Sequence, residues 1–286
     1  MLFNKIAVIN LIGGLGNQLF QIAFADYLLD NGFDVNMKTN WYKDHDFNDG
    51  TTKRDLEINV NDFRHKIADP KIIRKFDKLE KAKDVFLLDR LYKSRINTYY
   101  KVHTGNIFDE KKIYINNYFE GYWQSTQYLK NKKKFLLDGL NKNPAFKEEY
   151  TKNNISTKTL IHIRKGDYVN WKQDLSLNYF HNGIEKIKSR TQDFKYDIYT
   201  DEQTNFSDKI YSSADNIFND LNESPIRTLA KMTKYKSYII SNSSFSFFSA
   251  FLSKTKNPIV FYPDPWFKET NHGINNNLNW EALENN

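Results

Sequence analysis

The hydrophobic pattern opens with an apolar run, Ile6-Ala7-Val8-Ile9, which continues through Asn10-Leu11-Ile12 and halts at Gly13-Gly14-Leu15-Gly16. A short apolar run closed by glycines predicts a buried strand followed by a tight turn. Across 17–30 Leu19, Ile22, Ala23, Asp26 and Leu29 recur at helical spacing, and Gly32 supplies the stop. Phe33-Asp34-Val35-Asn36-Met37 then reads as a second strand. Strand, turn, helix and strand in that order predict a parallel sheet.

From 41 to 112 the apolar residues come in short clusters, such as Ile72-Ile73 and Val85-Phe86-Leu87-Leu88, among dense Asn, Asp and Lys. The pattern there predicts loops and short helices. A strand is expected at Ile113-Tyr114-Ile115, and after it a helix whose Lys132-Lys133-Lys134 reads as a solvated face. The polar stretch 141–158 reads as a link between domains. Beyond it the expected strands are Leu160-Ile161-His162-Ile163, Tyr196-Asp197-Ile198-Tyr199, Asn216-Ile217-Phe218, Tyr238-Ile239-Ile240 and Ile259-Val260-Phe261, with helices near 179–189, 228–236 and 245–252. This alternation predicts a second doubly wound domain. The expected architecture is α/β, with domains at 1–150 and 151–286 and ligands at the carboxyl ends of the strands, in a cleft between them.

Composition narrows the function. Hydrophobic residues at 40% suffice for a core without covalent staples. The absence of cysteine excludes disulfides, a thiolate nucleophile and Cys-ligated metal. No apolar run reaches the ~18 residues of a bilayer-spanning helix. Met1-Leu2-Phe3-Asn4-Lys5 leads straight into the first strand with no separate signal core, so a cytoplasmic protein is expected. Lys and Arg outnumber Asp and Glu by 42 to 35, a net charge of +7. That surplus suits anionic partners, or simply a solvated basic surface. Nucleic acid is not expected, since the lysines are spread along the chain rather than clustered with stacking aromatics.

Three segments carry candidate chemistry. Gly13-Gly14-Leu15-Gly16 lets backbone N–H groups face an anion or a sugar, and Gly14 and Gly16 are read as ligand-facing. A tight turn explains these glycines but not the amides Asn17-Gln18 that follow. A dinucleotide fingerprint would place glycine where Leu19 stands and an acid where Met37-Lys38 end the second strand, so an NAD-dependent oxidoreductase is only a remote alternative. His162-Ile163-Arg164-Lys165-Gly166-Asp167-Tyr168 releases two cations, a glycine and an acid at a strand end. Arg164 is fitted to grip a diphosphate, and Asp167 to hold Arg164 or act as a base; a plain Arg–Asp surface turn is the simpler alternative. Ser241-Asn242-Ser243-Ser244-Phe245-Ser246 gathers more polar groups than one helix cap requires. Asp44-His45-Asp46 has the look of a metal-holding D-x-D but lacks the apolar strand before it, and no zinc spacing exists, so no metal site is assigned.

These segments, in this order and with Gly121-Tyr122-Trp123-Gln124-Ser125 between them, resemble the bacterial α-1,2-fucosyltransferases of glycosyltransferase family eleven, over about 6–252. The resemblance implies a GT-B-like fold of two Rossmann-type domains. The implied reaction moves L-fucose from GDP-fucose to the 2-hydroxyl of a galactoside, with inversion, no required metal and no cofactor. The acceptor class is a surface polysaccharide or oligosaccharide, as in O-antigen biosynthesis, with peripheral contact at the inner membrane face where the acceptor is lipid-linked. By resemblance the N-terminal domain is the acceptor side and the C-terminal domain binds GDP. Arg164 then holds the β-phosphate, His162 and Asp167 shape the strand end, and Asn242, Ser243, Ser244 and Phe245 line the nucleotide. Asn17 and Gln18 reach the diphosphate and fucose from the first domain.

The chain departs from the family pattern at Lys165, which replaces a second arginine, and at Thr228, which replaces an acid suited to guanine. Phe247 and Phe248 stand where tryptophans often follow the serine motif. A fucosyltransferase of another linkage or acceptor is the nearest alternative. The base that takes the acceptor proton is open among His45, Asp46 and Glu120.

Overall fold

A computed structural model describes residues 5–44, 52–83, 100–111, 113–204, 206–267 and 278–285. They form two compact units, Met1–Gly139 and Leu140–Asn286. The division lies ahead of the expected 150/151 boundary, because the stretch read as a polar link contains a helix, Pro144–Thr151, that packs on the later helix Pro225–Met232. Asn143 caps that helix by accepting from the Ala145 and Phe146 amides, and Pro144 opens it without wasting an N–H.

Unit 1 contains β1 (Lys5–Asn10), α1 (Leu15–Asp30), β2 (Phe33–Lys38), α2 (Trp41–Asp44), β3 (Lys66–Ile67), α3 (Pro70–Lys83), β4 (Tyr100–Thr104), β5 (Asn116–Glu120) and α4 (Lys133–Leu140). Its sheet is parallel throughout, in the order β3-β2-β1-β5-β4. Central β1 is buried over Ala7, Val8 and Ile9. α1 is buried on nearly all sides, as its run of Leu, Phe, Ile and Ala requires. Phe24 on α1 stacks on Trp123 at 4.4 Å and meets Phe119 and Tyr128 edge-on, so aromatic packing fixes the helix on the sheet.

The fifth strand corrects the sequence reading. It begins at Asn116, just past the expected Ile113-Tyr114-Ile115. Asn116 and Asn117 are fully buried there. The Asn117 side-chain amide donates to the Ile6 and Tyr114 carbonyls, and Lys75 donates to Asn116. Buried amides with satisfied partners sit in a strand interior, which an apolar pattern alone does not find.

Unit 2 continues with α5 (Pro144–Thr151), β6 (Ser156–Ile163), α6 (Gly166–Asn170), α7 (Leu177–Lys188), β7 (Tyr196–Thr200), α8 (Lys209–Ser212), β8 (Asn216–Phe218), α9 (Pro225–Met232), β9 (Tyr235–Ile239), α10 (Ser244–Phe251), β10 (Ile259–Asp264) and β11 (Glu281–Glu284). Its parallel sheet runs β11-β10-β9-β6-β7-β8. One core cluster joins Ile161 and Ile163 of β6 to Tyr179, Phe180, Ile184 and Ile187 of α7 and Ile198 of β7. Both units are thus α/β with all-parallel sheets, the Rossmann-type content expected of a GT-B-like chain.

Candidate functional site

Each unit gathers polar side chains at the carboxyl end of a strand inside its sheet, where open α/β sheets bind ligands. In unit 1, β1 ends and Gly13 turns the chain at φ +78°, a conformation that suits glycine. Gly14 leads into α1, whose start has no side-chain cap, and Gly16 is buried in its first turn. Gln18 is fully buried. Its amide nitrogen donates to the Gly13 and Asp55 carbonyls at 3.0 and 2.8 Å, and its oxygen accepts the Glu57 N–H at 3.0 Å. The structure therefore places Gln18 within the unit, as the lock that ties residues 55–57 to the glycine turn. Gln21 does the same one turn on, accepting from the Ile12 amide and donating to the Gly121 carbonyl at 2.9 Å. Asn17 is half-buried and accepts from Gln124 at 2.8 Å, which joins the first motif to Gly121-Tyr122-Trp123-Gln124-Ser125. Tyr42 donates to the Gly13 carbonyl at 3.0 Å, with burial raising its phenol far above the usual value.

In unit 2, β6 ends at Ile163 and the next residues form the charged centre. Arg164 is mostly buried and meets two carboxylates, Asp167 through Nη2 and Asp201 through Nη1, both at 2.5 Å. Its guanidinium also lies 5.3 Å from the Tyr168 ring centroid. Asp201 accepts the Lys165 N–H at 2.7 Å through its other oxygen. Gly166 turns at φ +32°, and a Cβ there would stand 2.5 Å from Asp201 Oδ2, so the glycine is what allows this carboxylate to close in. The Lys165 ammonium is bound by Asp174 at 2.8 Å. His162 is buried and pairs with Ser241 Oγ at 2.9 Å through Nδ1. Burial, helped by the Arg164 charge, pushes it down to about 3, so the imidazole is neutral at ordinary pH.

The serine motif packs against this centre. Ser243 precedes α10 without making a side-chain cap bond. The Asn242 side-chain amide donates to the Gln173 carbonyl at 2.7 Å, and the Asn242 backbone carbonyl accepts from Tyr168 OH at 3.2 Å. Asn242 Oδ1 and Ser246 Oγ are buried with no partner among the described residues. Ser244 starts α10, and Phe245 lies 6.1 Å from the His162 ring. Arg164, Asp167, Asn242 and Phe245 thus form one neighbourhood of unit 2. The Gly14, Gly16, Asn17 and Gln18 group forms another, in unit 1.

Other expected features resolve individually. Asp44 ends α2, where Asn40 donates to it at 3.1 Å, while His45 and Asp46 lie outside the described residues. Glu120 is exposed at the end of β5. Lys132 is not part of a solvated face. It is a mostly buried partner of Asp26 and Asp30, at 2.5 Å from each, with Arg64 completing the cluster on Asp26 at 2.6 Å. Thr228 donates to Glu223, which also pairs with Lys231, so a carboxylate stands beside the start of α9 even though Thr228 itself has none. Phe247 and Phe248 are fully buried packing residues. Among the described residues no cluster of His, Asp or Glu has metal-binding geometry, and no helix is long and apolar enough to cross a membrane.

The sequence reading missed Asp201, Tyr42, Glu57 and Gln21. Asp201 had a signal: it is the first residue past β7, the strand paired to β6, and parallel neighbours present their ends together. Gln21 lies one helical turn beyond Gln18 on the same helix, a spacing that also could have been read. Nothing in the pattern marks residues 55–57.

Comparison with known proteins agrees with the motifs. The sequence profile of Glycosyl transferase family 11 matches residues 7–281. The chain is 27% identical to an alpha-1,2-colitosyltransferase of Escherichia coli, over 92% of this chain and 93% of that one. Among solved structures, the fucosyltransferase NodZ from Bradyrhizobium is similar with a TM-score of 0.44 at 11% identity, over 87% of this chain and 93% of that one. A mutant of Arabidopsis thaliana FUT1 in complex with GDP gives a TM-score of 0.47 at 10% identity, over 92% and 72%. The profile runs through all the motif segments and nearly the whole length, and the chain belongs to glycosyl transferase family 11.

Proposed function

We propose that this glycosyltransferase moves L-fucose from GDP-fucose to the 2-hydroxyl of a galactoside, with inversion and without a metal ion. The observation that carries the donor half is the Arg164 centre. A guanidinium held at the end of β6 by Asp167 and Asp201 is a fixed, partly desolvated cation. A departing nucleoside diphosphate gains negative charge as the sugar–phosphate bond breaks, and such a cation stabilises it most in the transition state. Asn242, Ser243, Ser244 and Phe245 line the nucleotide in this reading. Lys165 contributes less than Arg164 in it, since Asp174 already holds its ammonium. His162 is a neutral positioning group, because its imidazole is buried and bonded to Ser241. Unit 1 receives the acceptor, with Gly14, Gly16 and Asn17 at the turn and Gln18 as the lock beneath it. A galactoside on a lipid carrier fits the reading as well as a free oligosaccharide does.

A second donor is favoured by one observation, the likeness to an alpha-1,2-colitosyltransferase. Colitose is fucose without its 3-hydroxyl, so both donors present the same diphosphate to Arg164. The test is a donor panel of GDP-fucose, GDP-colitose, GDP-mannose and UDP-galactose with lactose as acceptor, in excess EDTA, reading released nucleotide and the linkage formed. Transfer from GDP-fucose to the galactose 2-hydroxyl is expected. Exclusive use of GDP-colitose overturns the fucosyl donor, another linkage overturns the acceptor position, and activity only with added Mn²⁺ or Mg²⁺ overturns the metal-free chemistry.

A further inference from the structure

The segment Gly121-Tyr122-Trp123-Gln124-Ser125 holds one aromatic ring out of the core of unit 1. Tyr122 is 43% exposed. A single exposed aromatic needs no explanation in itself, but the frame around this one does. Gly121, at φ +146°, packs against the Gly105 backbone, where a Cβ would stand 2.5 Å from the Gly105 carbonyl oxygen. Gln21 holds the Gly121 carbonyl at 2.9 Å. On the other side Trp123 is fully buried and stacked on Phe24, with its backbone left-handed at φ +54°, a conformation that bulky residues rarely adopt. Gln124 is fixed next, its N–H on Asn106 at 3.1 Å and its side-chain amide on Asn17 at 2.8 Å. The chain on both sides of Tyr122 is therefore pinned, while the ring itself faces solvent. The ring also meets the glycine turn: a Cβ on Gly13 would stand 3.1 Å from Tyr122 Cε1 and 2.6 Å from Asn17 Nδ2. The bare glycine lets ring and amide close together on the end of β1.

We propose that the Tyr122 ring is the platform on which the acceptor sugar stacks its apolar face. The inference deepens the proposed function and rests on its reading that unit 1 receives the acceptor. A tyrosine offers a large, rigid contact area with few rotatable bonds, so little freedom is lost when a ligand settles on it. Here the frame has already fixed its backbone, which is the support a binding group needs. The chemistry of a galactoside matches such a surface. Its axial 4-hydroxyl leaves the C–H bonds of C3, C4 and C5 together on the opposite face of the ring. Those bonds carry slight positive charge and pack on the negative face of an aromatic ring. A glucoside turns its C4–H to the other face and offers a smaller patch. The ring thus selects a sugar by its apolar face, and the turn beside it supplies the Asn17 amide.

The experiment titrates methyl β-galactoside and methyl β-glucoside into wild type, Tyr122→Phe and Tyr122→Ala, each saturated with GDP, and reads binding by saturation-transfer NMR. Circular dichroism confirms folding, and calorimetry measures GDP affinity. Wild type is expected to bind the galactoside more tightly than the glucoside. Tyr122→Ala is expected to bind the galactoside about tenfold more weakly, with GDP affinity near wild type. Tyr122→Phe keeps the ring and is expected to stay close to wild type, a rescue that a role for the hydroxyl does not produce. Galactoside binding that is as tight in Tyr122→Ala as in wild type overturns the platform and leaves the galactoside reading standing. So does a loss in Tyr122→Phe as large as in Tyr122→Ala, or a parallel loss of GDP affinity. Binding of the glucoside in place of the galactoside, lost in Tyr122→Ala, instead overturns the galactoside reading and supports the platform. The donor and the linkage do not enter the measurement, so an error in either leaves it intact.

Discussion

The two strand ends that carry the motifs solve the same problem with different chemistry. At the end of β1, polarity is neutral and internal: Gln18 and Gln21 are fully buried and bonded to backbone groups around them. At the end of β6, polarity is ionic and partly open, with Arg164 between Asp167 and Asp201 and retaining 19% of its side-chain exposure. A buried amide costs little once each donor and acceptor is matched. A buried ion costs several kcal/mol unless charge and hydration are both provided, so ions stay near the surface, where a charged ligand reaches them. The difference teaches that a motif residue's type indicates its setting: the amides build a scaffold, and the cation, which in the proposed function meets the diphosphate, stays partly exposed.

Arg164→Ala breaks the comparison at its strongest point. It is expected to cost about 10²–10³ in turnover, roughly 3–4 kcal/mol, while circular dichroism shows a folded protein. Arg164→Lys is expected to recover only part, since a point charge lacks the planar fork. Gln18→Leu tests the scaffold side. It leaves the Glu57 N–H and the Asp55 carbonyl without their partner, and roughly 1–3 kcal/mol is expected for each group left unmatched. Denaturant unfolding reads this loss, and a variant as stable as wild type contradicts the lock.

Each unit also buries a histidine, and pH separates their protonation from that of surface groups. His162 sits at about 3 and His65 at about 4, both pushed down chiefly by burial. The unfolded chain takes up these protons first, so stability falls as pH drops below the ordinary value of 6.5, at about 2 kcal/mol per histidine by pH 5. His162→Asn is expected to flatten that slope, and an unchanged slope counts against the buried neutral imidazole. Gly166→Ala introduces a Cβ against Asp201 in a left-handed backbone, with about 1–3 kcal/mol of strain expected. Lys165→Ala has the smallest expected effect on stability, at most about 1 kcal/mol, because both partners of the Asp174 pair keep part of their side chains exposed.

How legible each part was in the sequence follows from the same physics. The β1–α1–β2 unit announces itself because apolar runs, glycine stops and helical spacing all agree. The order of strands and helices in unit 2 was readable for the same reason. The strand Asn116–Glu120 was displaced because its first residues are buried amides whose partners lie far along the chain. The strands Lys66–Ile67 and Tyr100–Thr104 were passed over since short, polar edge strands carry little apolar signal. Arg164 stands out as a candidate in the sequence because it follows an obvious strand. Asp201 was missed since its contact with Arg164 depends on which strand lies beside β6, and that pairing is a property of the sheet rather than of any local pattern. Gln18 is singled out in the sequence as reaching the diphosphate and fucose, and in the structure its side chain is bonded to backbone groups of unit 1. Its burial, however, is set by segment 55–57, which a reading of local pattern does not bring to the turn.

The central claim is that Arg164, rather than its neighbour, grips the donor diphosphate. Calorimetric titration of GDP into wild type, Arg164→Ala and Lys165→Ala tests it most directly. The account predicts that Arg164→Ala loses most of its GDP affinity while Lys165→Ala stays close to wild type. Full GDP affinity in Arg164→Ala, with binding lost in Lys165→Ala, would contradict it.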